Sequence, residues 1–404
     1  MSGWAERTPK IHLADILRVH WSDYVRAGGR YIPPQVFKAA NQIMACRTPK
    51  LGTDVYQCPQ CGTTQFVYHS CKNRFCPRCG QSETDHWAKT LLSQLPKLKH
   101  HHVVFTLPAQ LRPLAKANPE LLYTLLFHTS AEVIKAWFAE KHHAIPGIIS
   151  VLQTAGSDLH YNPHLHTIVS GGGLKGEQWF ELRDDYLVNE KYLAKKFRWR
   201  FLKDLVAAYD QGRLQLPGEL ATLQERREFM RLVKKLHSVT WVVAVQPPLR
   251  DPENIVRYVG RYTRRACLSE YRIINFSEGV ITFECKDYAT TAEGKPGTKT
   301  VSLRYPEFFD RLFQHVPLPS FRMVRYYGVY AHFKDLPAWP QDQPQVLPEK
   351  LTWRALQIEK TGDDPLVCPT CGSELVWAQM AFPSRVALAV EGLPGSRWAY
   401  ADTS

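Results

Sequence analysis

The sequence has no apolar run approaching 18 residues, so it offers no membrane-spanning helix. Residues 1–20 hold no continuous apolar segment, so no secretory signal is expected. No Gly-x-x-x-x-Gly-Lys-Ser/Thr loop occurs, which leaves out a P-loop nucleotide motor. No Asp-Asp-Glu triad stands out by spacing, so a two-metal carboxylate route to phosphate chemistry finds no support. Internal repeats and low-complexity tracts are also missing. Acidic residues are in deficit: 38 Asp+Glu stand against 51 Lys+Arg, a net charge of +13. That surplus favours a polyanionic partner, most often nucleic acid, and leaves a merely basic enzyme open. Apolar and aromatic residues are plentiful, at 44% and 12%, which excludes a disordered chain. The 404 residues suggest two or three domains at about 150 residues each. A cytoplasmic protein is expected.

Six of the ten cysteines fall between positions 46 and 79. In a reducing compartment such a cluster reads as metal binding rather than as a disulfide framework. Cys58-Pro-Gln-Cys61 and Cys76-Pro-Arg-Cys79 are two knuckles separated by fourteen residues. Together they supply the four thiolates that structural Zn2+ prefers, with no position left open for catalysis. Cys46, Cys71 and His69 lie close enough in sequence to replace a ligand or to build a second site. Cys368-Pro-Thr-Cys371 is half a site, which Cys46 and Cys71 could complete.

Along the chain, residues 1–45 read as helical and 87–95 as a short helix. Strands are expected at 101–107, 148–154, 163–170 and 239–245, with a long helix over 119–140. Charged helices cover 190–236, broken near Pro217-Gly218. A helix starts near Pro252 and runs to about Arg265, and 271–303 reads as β-hairpins. Residues 335–404 read as Pro-rich and irregular.

The segment Asn162-Pro-His-Leu-His-Thr-Ile-Val-Ser170 carries chemistry. On a strand, period 2 places His164, His166 and Ile168 on one face and Leu165, Thr167 and Val169 on the other. Two imidazoles side by side make a platform for a divalent ion, with positions open for a phosphate. A hairpin loop at 156–162 could bring Gln153 beside them as a third ligand, and His160 competes for that place. Standing alone, a His-x-His is more often structural. The segment 253–265 puts Tyr258 and Tyr262 at i and i+4, on one helical face, among Arg257, Arg261, Arg264 and Arg265. Tyrosine can act as a covalent nucleophile, and nearby positive charge favours its phenolate. Spaced aromatics usually pack in a core, but four unpaired arginines would not be buried with them. The stretch from Phe321 to Tyr327 mixes aromatic and basic residues; it could stack unpaired bases or serve as a core element.

The order of these motifs resembles the HUH two-tyrosine transposases of bacterial insertion sequences that move by a rolling-circle route. The resemblance spans about residues 40–330 and includes Ser70 to Cys79, His102 to Pro108, Gln153 with Gly156-Ser157, Pro163 to His166, Tyr258 to Thr263 and Tyr326 to Val329. It implies an α+β fold, with an HUH-type antiparallel sheet and flanking helices. It implies that His164, His166 and Gln153 hold Mg2+ or Mn2+, and that Tyr258 and Tyr262 are the nucleophiles. Partners would be single-stranded DNA, hairpin ends of the element, target DNA, and host helicase and replication proteins. The expected layout is a helical segment (1–45), a zinc module (46–95), a catalytic domain (96–334) and a tail (335–404). A plasmid replication initiator or conjugative relaxase of the HUH class is the nearest alternative. A zinc-ribbon regulator without catalysis is a more distant one.

Overall fold

The computed structural model describes residues 11–27, 31–96, 98–183, 185–248, 266–292, 295–332, 351–382 and 398–399. The predicted tyrosine helix at 252–265 lies outside these residues, and with it Tyr258, Tyr262, Arg257, Arg261, Arg264 and Arg265.

The His-x-His strand is central to an antiparallel sheet, as its alternation predicts. β5 (Tyr161–Lys175) lies between β4 (Ile145–Ala155) and β3 (His100–Thr106). β11 (Val324–Gly328) closes one edge beside β4, β7 (Val243–Val245) closes the other beside β3, and β6 (Gln178–Glu181) pairs with the far end of β5. Register puts Gln153 and Thr106 on either side of His164, and Val151 and Val104 on either side of His166. The face carrying Leu165, Val169, Phe105 and Leu152 packs under α5 (Pro119–His142) and α6 (Glu190–Asp210). The opposite face carries Ile149, Val151 and Ile168, covered by Leu91 of α3 (Gly80–Gln94), by Leu95 just after it and by Tyr330. Gly172 has a steric reason to be glycine. A Cβ there would lie 2.1 Å from the Phe180 carbonyl oxygen, so only a bare backbone lets β6 approach β5.

A second core joins the front of the chain to the middle. α1 (Leu13–Arg26) and α2 (Pro34–Ala45) pack against a three-stranded sheet and α8 (Tyr305–Phe313). That sheet comprises β8 (Ile273–Ser277), β9 (Val280–Ala292) and β10 (Lys295–Arg304). Trp21 meets Phe309 and Phe313 edge-on. The Glu270 carboxylate accepts the Leu13 backbone N–H at 2.9 Å and lies 2.8 Å from the His12 ring, capping the start of α1. Leu159, at the turn between β4 and β5, is buried in this second core. The tip of the histidine hairpin is therefore held by one core and its strands by the other.

Two expectations change. The strand expected over 239–245 shortens to β7, because the Trp241 indole donates to the Leu236 carbonyl at 2.9 Å and still caps α7 (Arg226–Ser238). The tail is not wholly irregular: it holds α9 (Trp353–Thr361), started by the Thr352 cap, and β12 (Val376–Ala381). β12 pairs with β1 (Thr53–Gln57), which also pairs with β2 (Thr64–Tyr68).

Candidate metal centre and cysteine clusters

His164 and His166 project from the same face of β5, and β4 delivers Gln153 beside them. His164 Nε2 and His166 Nε2 each lie 3.0 Å from Gln153 Oε1. The outward nitrogens are engaged. His164 Nδ1–H donates to the Asn162 carbonyl at 2.6 Å, and the Arg112 guanidinium donates to the Asn162 side-chain oxygen at 2.8 Å. His166 Nδ1 lies 3.0 Å from Nε2 of His102, whose ring is nearly parallel to it. In the tautomer in which His166 Nδ1–H donates to His102, as His164 Nδ1–H does to Asn162, two imidazole lone pairs converge on one amide oxygen. Such an N, N, O set suits a divalent cation. Without an ion, the amide can turn its NH2 toward the two rings.

Electrostatics keep these rings in the ligand-competent form. Burial lowers the His164 pKa, and burial together with the neighbouring His164, His102 and Lys286 charges holds His166 well below its ordinary value. Burial also brings His102 down to about 4. His166 is buried, whereas His164 and Gln153 are half-buried, so the cluster is open on one side. His160 is exposed in the turn and pairs with Asp158 at 2.8 Å, turned to a partner of its own.

The cysteines are grouped differently from their sequence spacing. Cys46, Cys71, Cys76 and Cys79 form one cluster, and Cys58, Cys61, Cys368 and Cys371 form another. The pairing of Cys58 and Cys61 with Cys76 and Cys79 is therefore corrected. The reason is the β1–β2 hairpin. Cys58 and Cys61 sit at its tip, between Gln57 and Thr64, while Cys71, Cys76 and Cys79 follow its base. Five extended residues span about 17 Å, too far for tip and base to share one ion. The first cluster is instead completed by Cys46 at the end of α2, with Cys46 Sγ 3.3 Å from Cys79 Sγ. His69 joins neither cluster; its ring lies 3.0 Å from the Asp54 carboxylate.

Two family models match the chain. One, described as "Putative transposase", covers residues 147–336. The other, described as "Transposase zinc-binding domain", covers residues 16–107. The "Putative transposase y4qJ" of Sinorhizobium fredii is 33% identical over 372 residues, covering 89% of this chain and 92% of that protein. The "Transposase for insertion sequence element IS801" of Pseudomonas savastanoi pv. phaseolicola is 27% identical over 368 residues, 88% and 86% of the two chains. The chain belongs to the IS91 family of transposases. No solved structure matches it.

The zinc-binding match spans all four cysteines of the first cluster, which supports structural Zn2+ there. The transposase match spans the histidine hairpin and the 252–265 segment. Just after β7, the Gln246 N–H donates to the His102 carbonyl at 2.8 Å. His102 was not singled out from sequence as a site residue, and neither was Lys286. Parts of the segment from Phe321 to Tyr327 pack against the rest of the domain. Phe321 is buried, the Arg325 guanidinium lies 4.5 Å from the Phe127 ring centre, and the Trp87 indole donates to the Tyr326 hydroxyl at 3.2 Å.

Proposed function

We propose that this transposase cleaves and rejoins single-stranded DNA at the ends of an insertion sequence through 5′-phosphotyrosine intermediates, in rolling-circle transposition. The observation that carries the reading is the convergence of His164 Nε2 and His166 Nε2 on Gln153 Oε1, with both Nδ1 atoms engaged elsewhere. These three side chains would hold Mg2+ or Mn2+. When bound, the ion polarises the scissile phosphate and orients it for attack.

The remaining steps belong to the chain's own residues. The hydroxyl of Tyr258 or Tyr262 attacks phosphorus. The Tyr Oη–P bond forms, the P–O3′ bond breaks, and the leaving 3′-oxygen takes a proton. One phosphodiester replaces another, so the step is reversible and a free 3′-OH can attack back without nucleotide hydrolysis. Two tyrosines allow two covalent ends at once, one for donor cleavage and one for target joining. Arg257, Arg261, Arg264 and Arg265 would bind phosphates flanking the reacting one. His102 fixes the tautomer of His166, and Asn162 fixes that of His164. The zinc-bearing front would read the element's hairpin ends. Host helicase and replication proteins would supply unwinding and synthesis in the cytoplasm. Among the described residues, no helix is long and apolar enough to cross a membrane.

The test is incubation of the full chain with Mn2+ and single-stranded DNA from its element's end. A denaturant-stable protein–DNA adduct is expected, lost in Tyr258→Phe/Tyr262→Phe and in His164→Ala. The parent protein forming no adduct would sink the reading.

A further inference from the structure

The second cysteine cluster lies partly outside the matched zinc-binding domain, because Cys368 and Cys371 are far beyond residue 107. We propose that Cys58, Cys61, Cys368 and Cys371 hold a second structural Zn2+, which clamps the tail of the chain onto its N-terminal hairpin. This inference does not depend on the cleavage chemistry above.

The first support is that the two knuckles are copies of one another. Cys58-Pro-Gln-Cys-Gly-Thr63 and Cys368-Pro-Thr-Cys-Gly-Ser373 share residue types at five of six positions, counting Thr and Ser as one type. Their backbones agree as well. The Cys58 N–H donates to the Thr63 carbonyl at 2.8 Å, and the Cys368 N–H donates to the Ser373 carbonyl at 2.7 Å. The Gly62 N–H donates to the Cys58 carbonyl at 3.0 Å, and the Gly372 N–H donates to the Cys368 carbonyl at 2.9 Å. Gly62 and Gly372 have φ of +73° and +76°, and a Cβ on either would meet nothing. Backbone handedness rather than crowding therefore selects glycine at both turns.

The second support is the sulfur geometry. Cys58 Sγ lies 3.5 Å from Cys371 Sγ, and Cys61 Sγ lies 3.5 Å from Cys368 Sγ. All four sulfurs fall within 4.8 Å of one another. Tetrahedral zinc–sulfur bonds of about 2.3 Å put sulfurs about 3.8 Å apart, so the cluster has the size of a closed four-thiolate site.

The third support is the small core beneath. Among the described residues, and apart from Cys58 and Cys368, its buried residues are Tyr56, Val67, Leu366 and Leu375, with Trp353 against them. Beside the β1–β12 ladder, so small an apolar cluster does little to hold two remote segments together, which is where a staple contributes most. The contacts around the cluster are polar and cross the same junction. Thr63 Oγ1 donates to Thr370 Oγ1 at 3.1 Å, and Gln65 Nε2 donates to the Pro365 carbonyl at 2.9 Å. An ion here would close a very long loop, where a crosslink removes the most freedom from the unfolded chain.

The experiment measures zinc per chain on the full-length protein, purified without chelator. Two zincs are expected in the parent protein. One is expected in Cys368→Ser/Cys371→Ser, and two again in Cys371→His, where an imidazole replaces a thiolate. One zinc in the parent, or two in the double serine variant, would overturn the proposal. Thiol alkylation of the parent protein, read by mass spectrometry, serves if the serine variant does not fold. Exposed Cys61 and Cys371 should be protected at least tenfold until chelator is added, and should become reactive together with Cys58 and Cys368. Immediate alkylation of Cys61 and Cys371 in the untreated protein would equally refute the site.

Discussion

Replacing His102 with Phe tests whether the metal centre depends on its buried support. His102 Nε2 lies 3.0 Å from His166 Nδ1, and the rings are nearly parallel, with centroids 5.2 Å apart at 13°. Burial holds His102 near a pKa of about 4, so at neutral pH it is an uncharged ring able to accept from the His166 N–H. Phe keeps an apolar ring at this buried position but removes the acceptor. Depriving a buried donor of a partner costs about 1–3 kcal/mol. At about 1.4 kcal/mol per factor of ten, that corresponds to roughly 5- to 150-fold weaker binding at the centre. Losses of about 10- to 100-fold are typical when the partner of a metal-bound histidine is removed. The assay is Mn2+ titration of the zinc-loaded protein at neutral pH, following free Mn2+ by electron paramagnetic resonance. His102→Gln, which offers an amide oxygen in place of the ring nitrogen, should recover most of the loss. Thermal stability of the Phe variant reports any general damage separately. Parent-like Mn2+ affinity in a folded His102→Phe protein would refute the reasoning, because it would mean that His166 does not need this neighbour.

Other expectations follow from the same geometry. Leu165 lies between the two histidines in sequence but on the opposite, core face, fully buried. Leu165→Ala should cost about 2–5 kcal/mol in urea unfolding while Mn2+ affinity in the folded protein stays close to the parent's. Gly172→Ala forces a Cβ against the Phe180 carbonyl, so a clear loss of stability, about 1–3 kcal/mol, is expected in the same urea assay. His100 and His315 are buried and neutral, each with its pKa lowered by burial from 6.5 to about 4. The unfolded chain binds their protons first as pH falls. Their contribution is therefore complete above pH 6.5 and is lost between there and about 4, at up to about 1.4 kcal/mol per pH unit for each. Melting temperature against pH checks this; a flat profile through that window would contradict it.

Local patterns were legible in the sequence and remote pairings were not. The alternation through 163–170 places His164 and His166 on one face and Leu165 on the other, and that is how β5 sits in its sheet. Gln153 was within reach of the same reading because β4 and β5 are neighbours in sequence, joined by a short turn that fixes their register. His102 was not, because it comes from β3, which reaches β5 only after α5 and β4 intervene. No local signal in the run His100-His101-His102 says which ring will face a metal ligand. In the structure, His100 instead lies 2.6 Å from the Tyr330 hydroxyl, and only His102 meets His166.

The cysteines show the same limit. Proximity along the chain favours joining Cys58 and Cys61 with Cys76 and Cys79. It fails because a hairpin carries its tip away from its base, and chain distance then says nothing about spatial distance. A better guide was present in the residues: the tip knuckle reads Cys-Pro-x-Cys-Gly-Thr and the tail knuckle Cys-Pro-x-Cys-Gly-Ser, whereas Cys76-Pro-Arg-Cys79 continues as Gly80-Gln81 into α3. Knuckles that end in the same left-handed glycine turn offer matching halves of one tetrahedral site. A knuckle that runs straight into a helix offers a different half, and here it pairs with the single cysteines Cys46 and Cys71. All three knuckles read Cys-Pro-x-Cys-Gly, so in sequence the structural pairing is followed only by the next residue, Thr63 and Ser373 against Gln81.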